Sequence, residues 1–95
     1  MNVAYTLRAR SDLRDISAYL REHNPFAANA VVRAINERIA RLAEFPETGP
    51  ITDDPPTREL SIRRYPYKVY YEISGPYIWI IHIRHTSRQP WRAGQ

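Results

Sequence analysis

Cysteine is absent from this sequence of 95 residues, so neither a disulfide framework nor a thiolate metal site is available. The three histidines are scattered, which does not favour a zinc site. Glycines stand alone at positions 49, 75 and 94, so no glycine-rich loop can hold a phosphate. No apolar segment approaches the roughly 20 residues that span a bilayer, and no cleavable signal is visible. We therefore expect a cytoplasmic protein without a metal, a cofactor or a membrane-spanning segment.

Lysine is nearly absent. Lys68 is the single lysine among 14 basic residues, and the other 13 are arginine, with a formal net charge of +4. Arginine forms planar bidentate pairs and stacks on aromatic rings, so this bias suits a contact surface for carboxylates or phosphates. The codon usage of a high-GC genome produces the same bias, so basicity alone does not decide the function.

The length predicts one domain over residues 1–95, with residues 86–95 as a short basic tail. Residues 2–8 alternate in the two-residue period of a half-buried strand, with Leu7 on the inner face. Ser11 is the predicted N-cap of a first helix, with Asp12 and Asp15 in its first turn. The pair Asn24-Pro25 ends this helix and starts a second one that runs to about Glu44.

Several prolines between positions 46 and 56 predict a loop, after which alternation resumes in three further strands. These are residues 58–63, residues 67–73 and, after the Gly75-Pro76 turn, residues 78–85. Trp79, Ile81 and Ile83 are predicted to face the core. The order is β-α-α-β-β-β, which predicts an α+β fold in which a helical hairpin covers one face of an antiparallel sheet.

Acyl-transfer chemistry is excluded, because no serine lies in a nucleophile-elbow context and no cysteine exists. Metal-free RNA cleavage stays possible, since it requires a proton acceptor, a proton donor and cations on the phosphate. The candidate catalytic residues for that alternative are His82, His85, Arg63, Lys68, Arg84 and Arg88. The pleat of a strand sends His82 and Arg84 to one face and His85 to the other, so the set cannot converge without a bend.

The whole pattern resembles the RelE/ParE superfamily of toxins from bacterial type II toxin–antitoxin, or plasmid stabilisation, systems. No single motif is diagnostic, but the order and spacing together are fairly specific. The matching residues are Ala9 to Leu13, Ile16, Tyr19-Leu20, Asn24-Pro25, Ala27-Ala28, Leu42, Phe45-Pro46, Gly49, Arg58-Glu59-Leu60, Tyr67 to Ile73, Ile83, His85, Arg88 and Pro90. The fold of that superfamily, a helical hairpin on an antiparallel sheet, agrees with the predicted order of elements.

The superfamily contains ribosome-dependent messenger-RNA endonucleases (RelE-like) and poisons of DNA gyrase (ParE-like). Where the nuclease branch carries lysines, this sequence has Glu59 and Ser61, and no tyrosine follows Tyr77. Glu59 would repel a phosphate. The ending from His85 to Trp91 looks more like the His, Arg, Pro pattern of ParE-like toxins, although Ser87 stands where a second basic residue is common. The resemblance therefore implies a ParE-like toxin that binds gyrase without catalysis.

The resemblance also implies two contact surfaces. Arginine and tryptophan are common interface anchors, and the predicted target-binding residues are Arg84, His85, Arg88, Trp91 and Arg92. The implied partners are a cognate ParD-like antitoxin and DNA gyrase, with nucleic acid involved only indirectly. For the antitoxin, the candidate contacts are Tyr65, Tyr67 and Tyr70. The alternatives are a RelE-like endoribonuclease and, third, an arginine-rich nucleic-acid-binding module.

Overall fold

The computed structural model describes residues 1–87, so three of the predicted target-binding residues, Arg88, Trp91 and Arg92, lie outside the described residues. The predicted order of elements is confirmed. The elements are β1 (Asn2–Tyr5), α1 (Leu7–His23), α2 (Pro25–Ala40), a 3₁₀ turn (Arg41–Ala43), β2 (Arg58–Ile62), β3 (Tyr67–Ser74) and β4 (Tyr77–His85). No helix within this part of the chain is long and apolar enough to cross a membrane.

The four strands form one sheet in the order β1-β4-β3-β2. Neighbouring strands from β2 to β4 are antiparallel, whereas β1 runs parallel to β4 as an edge strand of four residues. Apolar faces of α1 and α2 pack on one side of this sheet, and Ile35, Ile39, Ile78 and Ile80 are almost fully buried between the layers. The predicted α+β fold with a helical hairpin on one face is therefore confirmed.

The first helix begins four residues before the predicted N-cap. Thr6 is the N-cap, because its backbone is extended and its hydroxyl accepts the Ala9 N–H at 3.1 Å. Leu7, predicted to face the core in a strand, is the first helical residue and is 85% exposed. Ser11, Asp12 and Asp15 consequently lie inside the helix instead of at its start, and Asp12 has another role, described below.

A β-bulge reverses the predicted facing of part of β4. Tyr71 pairs with Ile80 but Tyr70 pairs with His82, so Ile81 is an extra residue on β4. One extra residue changes which face every following side chain occupies. Trp79, predicted to face the core, is therefore on the opposite face and 39% exposed, and Ile81 is only partly buried. Ile83 lies beyond the bulge and is buried as predicted.

The long loop between α2 and β2 is fastened to the sheet by one phenol. The Tyr71 hydroxyl donates to the Pro46 carbonyl at 2.7 Å and accepts the Gly49 N–H at 2.9 Å. Burial raises the pKa of Tyr71, so the hydroxyl keeps its proton for the bond to Pro46. A Cβ at Gly49 would lie 2.7 Å from the Glu59 carbonyl oxygen and 2.9 Å from the Tyr71 ring, so only glycine fits this approach.

We predict that Tyr71→Phe destabilises the fold by about 1–3 kcal/mol, because it leaves two buried backbone groups without their partner. Tyr77→Phe is the matched control, since Tyr77 lies near the β3–β4 turn and is 42% exposed. Urea unfolding followed by circular dichroism measures both free energies. An equal loss in the two variants would contradict the fastening role of Tyr71.

Candidate binding site at the end of the last strand

Residues of the α1 N-terminus replace β1 along the edge of β4. The ladder between β1 and β4 ends at Tyr5 and Ile80. Beyond that point the Thr6 N–H donates to the Ile80 carbonyl at 3.0 Å, and the Thr6 hydroxyl donates to the Ile81 carbonyl at 3.1 Å. These bonds satisfy backbone carbonyls of β4 that would otherwise need a further strand as their partner.

Asp12, one and a half turns into α1, completes this edge. Its Oδ2 accepts the Ile83 N–H at 2.9 Å and the Nδ1–H of His82 at 2.7 Å. Because this oxygen is the acceptor, the His82 ring carries a proton on Nδ1. We name this arrangement the Asp12 clamp.

A cleft of about 270 Å³ lies between α1 and the end of β4. Two carboxylates, two imidazoles, one phenol and one guanidinium border it, together with two isoleucines. The lining residues are Asp12, Asp15, Ile16, Tyr19, His82, Ile83, Arg84 and His85. With neutral imidazoles its formal charge is negative, because it has two carboxylates and one guanidinium.

The two histidines of the cleft are held in different ways. His82 is 7% exposed, and its ring stacks on Tyr70 with the centroids 6.0 Å apart. His85 lies edge-on to Tyr67 at 5.3 Å, and its Nδ1 accepts the Ser87 N–H at 3.1 Å. The two histidines lie on opposite faces of the sheet, as the sequence predicts. His82 pairs with Tyr70, whereas His85 pairs with Tyr67. The cleft nevertheless touches both rings, because it lies at the strand edge.

Arg84, a predicted target contact, is positioned by bonds within the protein. Its Nε donates to the Tyr70 hydroxyl at 3.2 Å, and Nη1 donates to the His85 carbonyl at 2.9 Å and the Thr86 carbonyl at 3.3 Å. The guanidinium also lies 5.9 Å from the centroid of the Tyr70 ring. These bonds hold Arg84 across the point where β4 ends and the tail begins.

The remaining candidate cations do not converge on the cleft. The Lys68 amine is 2.8 Å from a Glu59 carboxylate oxygen on the sheet face opposite the helices. Arg63 lies in the turn between β2 and β3. Of the six candidate catalytic residues, five are described. His82, His85 and Arg84 line the cleft, whereas Arg63 does not, and Lys68 pairs with Arg84 in the strand ladder but lies outside the cleft lining.

Two of the three tyrosines proposed for antitoxin contact have little available surface. Tyr67 is 3% exposed and part of the core, and Tyr70 is 4% exposed beneath Arg84. Tyr65 is partly buried, and the guanidinium of Arg64 lies 5.8 Å from its ring centroid. Among the three, Tyr65 therefore offers the most accessible ring.

A second concave feature was not predicted from the sequence. A groove of about 460 Å³ lies between α2 and the β2–β3 turn. Its lining is four guanidiniums, one carboxylate and two apolar side chains, namely Ala34, Glu37, Arg38, Arg41, Ile62, Arg63 and Arg64. We call it the arginine groove. The signal in the sequence was the Arg63-Arg64 pair beside a turn, together with Arg38 and Arg41 three residues apart on a helix.

Comparison with known proteins agrees with this architecture. Residues 3–90 match the family model described as the ParE toxin of the type II toxin–antitoxin system parDE. Protein Y4kP of Sinorhizobium fredii is 36% identical over 87 residues, which cover 92% of this chain and 90% of Y4kP. Toxin RelE2 of Caulobacter vibrioides is 33% identical over 86 residues, covering 90% and 96% of the two chains. A chain from the chromosomal ParDE TA system of P. aeruginosa has a TM-score of 0.82, with 24% identity and coverage of 92% and 97%.

We predict that Asp12→Ala destabilises the fold by about 2–4 kcal/mol, because it removes a charged acceptor from the Ile83 amide and from buried His82. Asp15→Ala is the matched control, since Asp15 is exposed on the same helix and the helical preference changes equally. Chemical unfolding gives both free energies. A loss for Asp12→Ala no larger than that for Asp15→Ala would contradict the clamp.

Proposed function

Because the chain belongs to the ParE family of type II toxin–antitoxin toxins, we propose that it is a ParE-like inhibitor of DNA gyrase that acts by binding alone. In this proposal the toxin stabilises a gyrase–DNA cleavage state, and a cognate ParD-like antitoxin neutralises it. The target contacts are Arg84, His85, Arg88, Trp91 and Arg92. Of the three tyrosines predicted to contact the antitoxin, Tyr65 is the one we propose, since Tyr67 and Tyr70 are almost fully buried.

The observation that supports binding over catalysis is the charge and bonding of the cleft. Cleavage of RNA needs cations that are available to a phosphate, because negative charge grows on the phosphate oxygens in the transition state. Here Asp12 and Asp15 line the cleft beside Arg84, so the carboxylates outnumber the guanidinium. Two carboxylates beside a phosphate would oppose the charge stabilisation that the reaction requires.

The sheet face opposite the helices supports the same choice. Lys68, the single lysine, is paired with Glu59, and Ser61 lies opposite Lys68 in the strand ladder. A lysine whose charge is matched by a carboxylate at 2.8 Å attracts a phosphate less strongly than an unpaired one. Together, the paired lysine and the acidic cleft favour recognition of a protein surface by the end of β4 and the tail.

Arg84 gives a physical basis for that recognition. Its bonds to Tyr70, to the His85 carbonyl at the end of β4 and to the Thr86 carbonyl hold the backbone of residues 85 and 86 in place. Contacts on a preorganised segment lose less conformational entropy on binding than contacts on a free one. Arginine is a common anchor for a protein partner, and Arg84 itself belongs to this ordered segment.

We predict that the purified chain inhibits gyrase supercoiling and increases cleaved DNA, and leaves messenger RNA on translating ribosomes intact. The double substitution of Trp91→Ala and Arg92→Ala should weaken the inhibition by roughly 30-fold or more, the effect expected for interface anchors. Arg14→Ala is the control, because Arg14 is an exposed arginine of α1 outside the proposed contacts.

The same assays can reject the proposal. Site-specific messenger cleavage on ribosomes that is abolished by His85→Ala, with gyrase unaffected, would establish a RelE-like endoribonuclease instead. If the wild type and the double variant inhibit gyrase equally, gyrase is still the target, but Trp91 and Arg92 are not its contacts.

A further inference from the structure

The arginine groove combines positive charge with apolar surface. Four of its seven lining residues are arginine, and Glu37 is the single acid. None of the four guanidiniums forms an ion pair with a carboxylate among residues 1–87. Like charges gathered in a concavity raise the local concentration of an oppositely charged partner.

Arg38 has an unmet hydrogen-bond donor at the wall of the groove. Its Nε–H is buried and has no hydrogen-bond partner in the described part of the chain. Leaving a buried donor unpaired carries a cost that an added acceptor can remove. An oxygen-bearing ligand that reorients the Arg38 side chain would satisfy the donor and neutralise the charge together.

Aromatic rings hold two of the other arginines at the rims. The Arg41 guanidinium lies 6.0 Å from the Phe45 ring centroid, and Arg64 lies 5.8 Å from that of Tyr65. Cation–π contacts of this kind keep the planar fork in place without using its N–H donors. The forks are therefore available for bidentate contact with carboxylates.

We propose that the arginine groove binds an acidic, amphipathic segment of the antitoxin, a deeper form of the proposed function on which it rests. Carboxylates of the segment contact the four guanidiniums, and an apolar side chain packs on Ala34 and Ile62 at the floor. The apolar side chains of Ala34 and Ile62 favour a peptide over a nucleic-acid backbone, since a continuous row of phosphates would leave them without a contact.

The position of the groove suggests how such a partner would silence the toxin. Thr86 donates its N–H to the Pro66 carbonyl at 2.8 Å, which joins the turn of the groove to the end of β4. In the sequence, Tyr65 lies between Arg64, which lines the groove, and Pro66, which is bonded to Thr86. A peptide in the arginine groove would therefore lie near the end of β4, where the proposed target contacts Arg84 and His85 are, and would obstruct the approach of gyrase to them.

The test compares two quadruple variants that each lose four positive charges. The groove variant carries Arg38→Gln, Arg41→Gln, Arg63→Gln and Arg64→Gln, and the control carries Arg10→Gln, Arg14→Gln, Arg21→Gln and Arg33→Gln, all exposed positions elsewhere. Calorimetric titration with the cognate antitoxin should show affinity reduced by roughly 10- to 100-fold for the groove variant, as expected for the loss of several partly exposed ion pairs. The control should change by less than about threefold.

Equal losses in the two variants would overturn the inference. An unchanged antitoxin affinity together with a selective loss of binding to a labelled DNA duplex would also overturn it, and would identify a nucleic-acid groove. If the quadruple groove variant does not fold, the pair Arg63→Gln and Arg64→Gln in the exposed turn is compared with Arg10→Gln and Arg14→Gln under the same criteria.

Failure of the proposed function has a different signature. Both proposals are supported if the wild type, the control variant and the groove variant each arrest growth, and the antitoxin relieves the arrest for the wild type and the control but not for the groove variant. If the antitoxin does not bind the wild type, a labelled peptide of alternating glutamate and leucine pairs serves as the probe. If the groove variant alone loses affinity for that peptide, the groove is an acidic-peptide site and only the toxin–antitoxin pairing is rejected. If both variants bind the peptide equally, the groove site and the pairing are both rejected.

Discussion

The contact between the α1 N-terminus and the edge of β4 determines the geometry of everything at this end of the molecule. β1 covers only the first part of β4, and from Ile81 onward the edge would be open to any other strand. Thr6 and Asp12 close it with a hydroxyl and a carboxylate. The same carboxylate holds His82, so sheet closure and the orientation of a cleft side chain depend on one residue.

This dual role explains why helix patterning located Asp12 on the correct element but assigned it the wrong role. An acid soon after a serine is typical of a helix N-terminus, and this local pattern predicts the N-cap at Ser11. Thr6 is an equally good cap, and its hydroxyl also reaches the Ile81 carbonyl. Choosing between Thr6 and Ser11 requires the sheet edge, which is a long-range feature that local pattern does not contain.

Most of the fold, by contrast, could be predicted from local pattern. Asn24-Pro25 fixes the hairpin, and Gly75, with φ of 57°, fixes the turn between β3 and β4. The β-bulge could not be predicted, because residues 78–81 are all apolar. With or without an extra residue at Ile81, apolar side chains would lie on both faces of the strand, so the pattern does not reveal the bulge. The arginine groove was missed for a similar reason, since its four arginines come from two segments that only the tertiary fold brings together.

Among residues 1–87, some arginines hold backbone carbonyls by hydrogen bonds and the groove arginines do not. Arg58 donates to the Gly49 carbonyl at 2.8 Å and Arg84 to the carbonyls of His85 and Thr86, so each holds a segment of backbone in place. The groove arginines fix nothing comparable among residues 1–87, although Arg38 has a buried donor that would gain from an acceptor. A fold of this size has little stability to spare for unmatched charge. A partner that supplies carboxylates would relieve the repulsion among the four guanidiniums. Such a partner would also lie near Arg84 and His85, because the Thr86 to Pro66 hydrogen bond joins the turn of the groove to the end of β4.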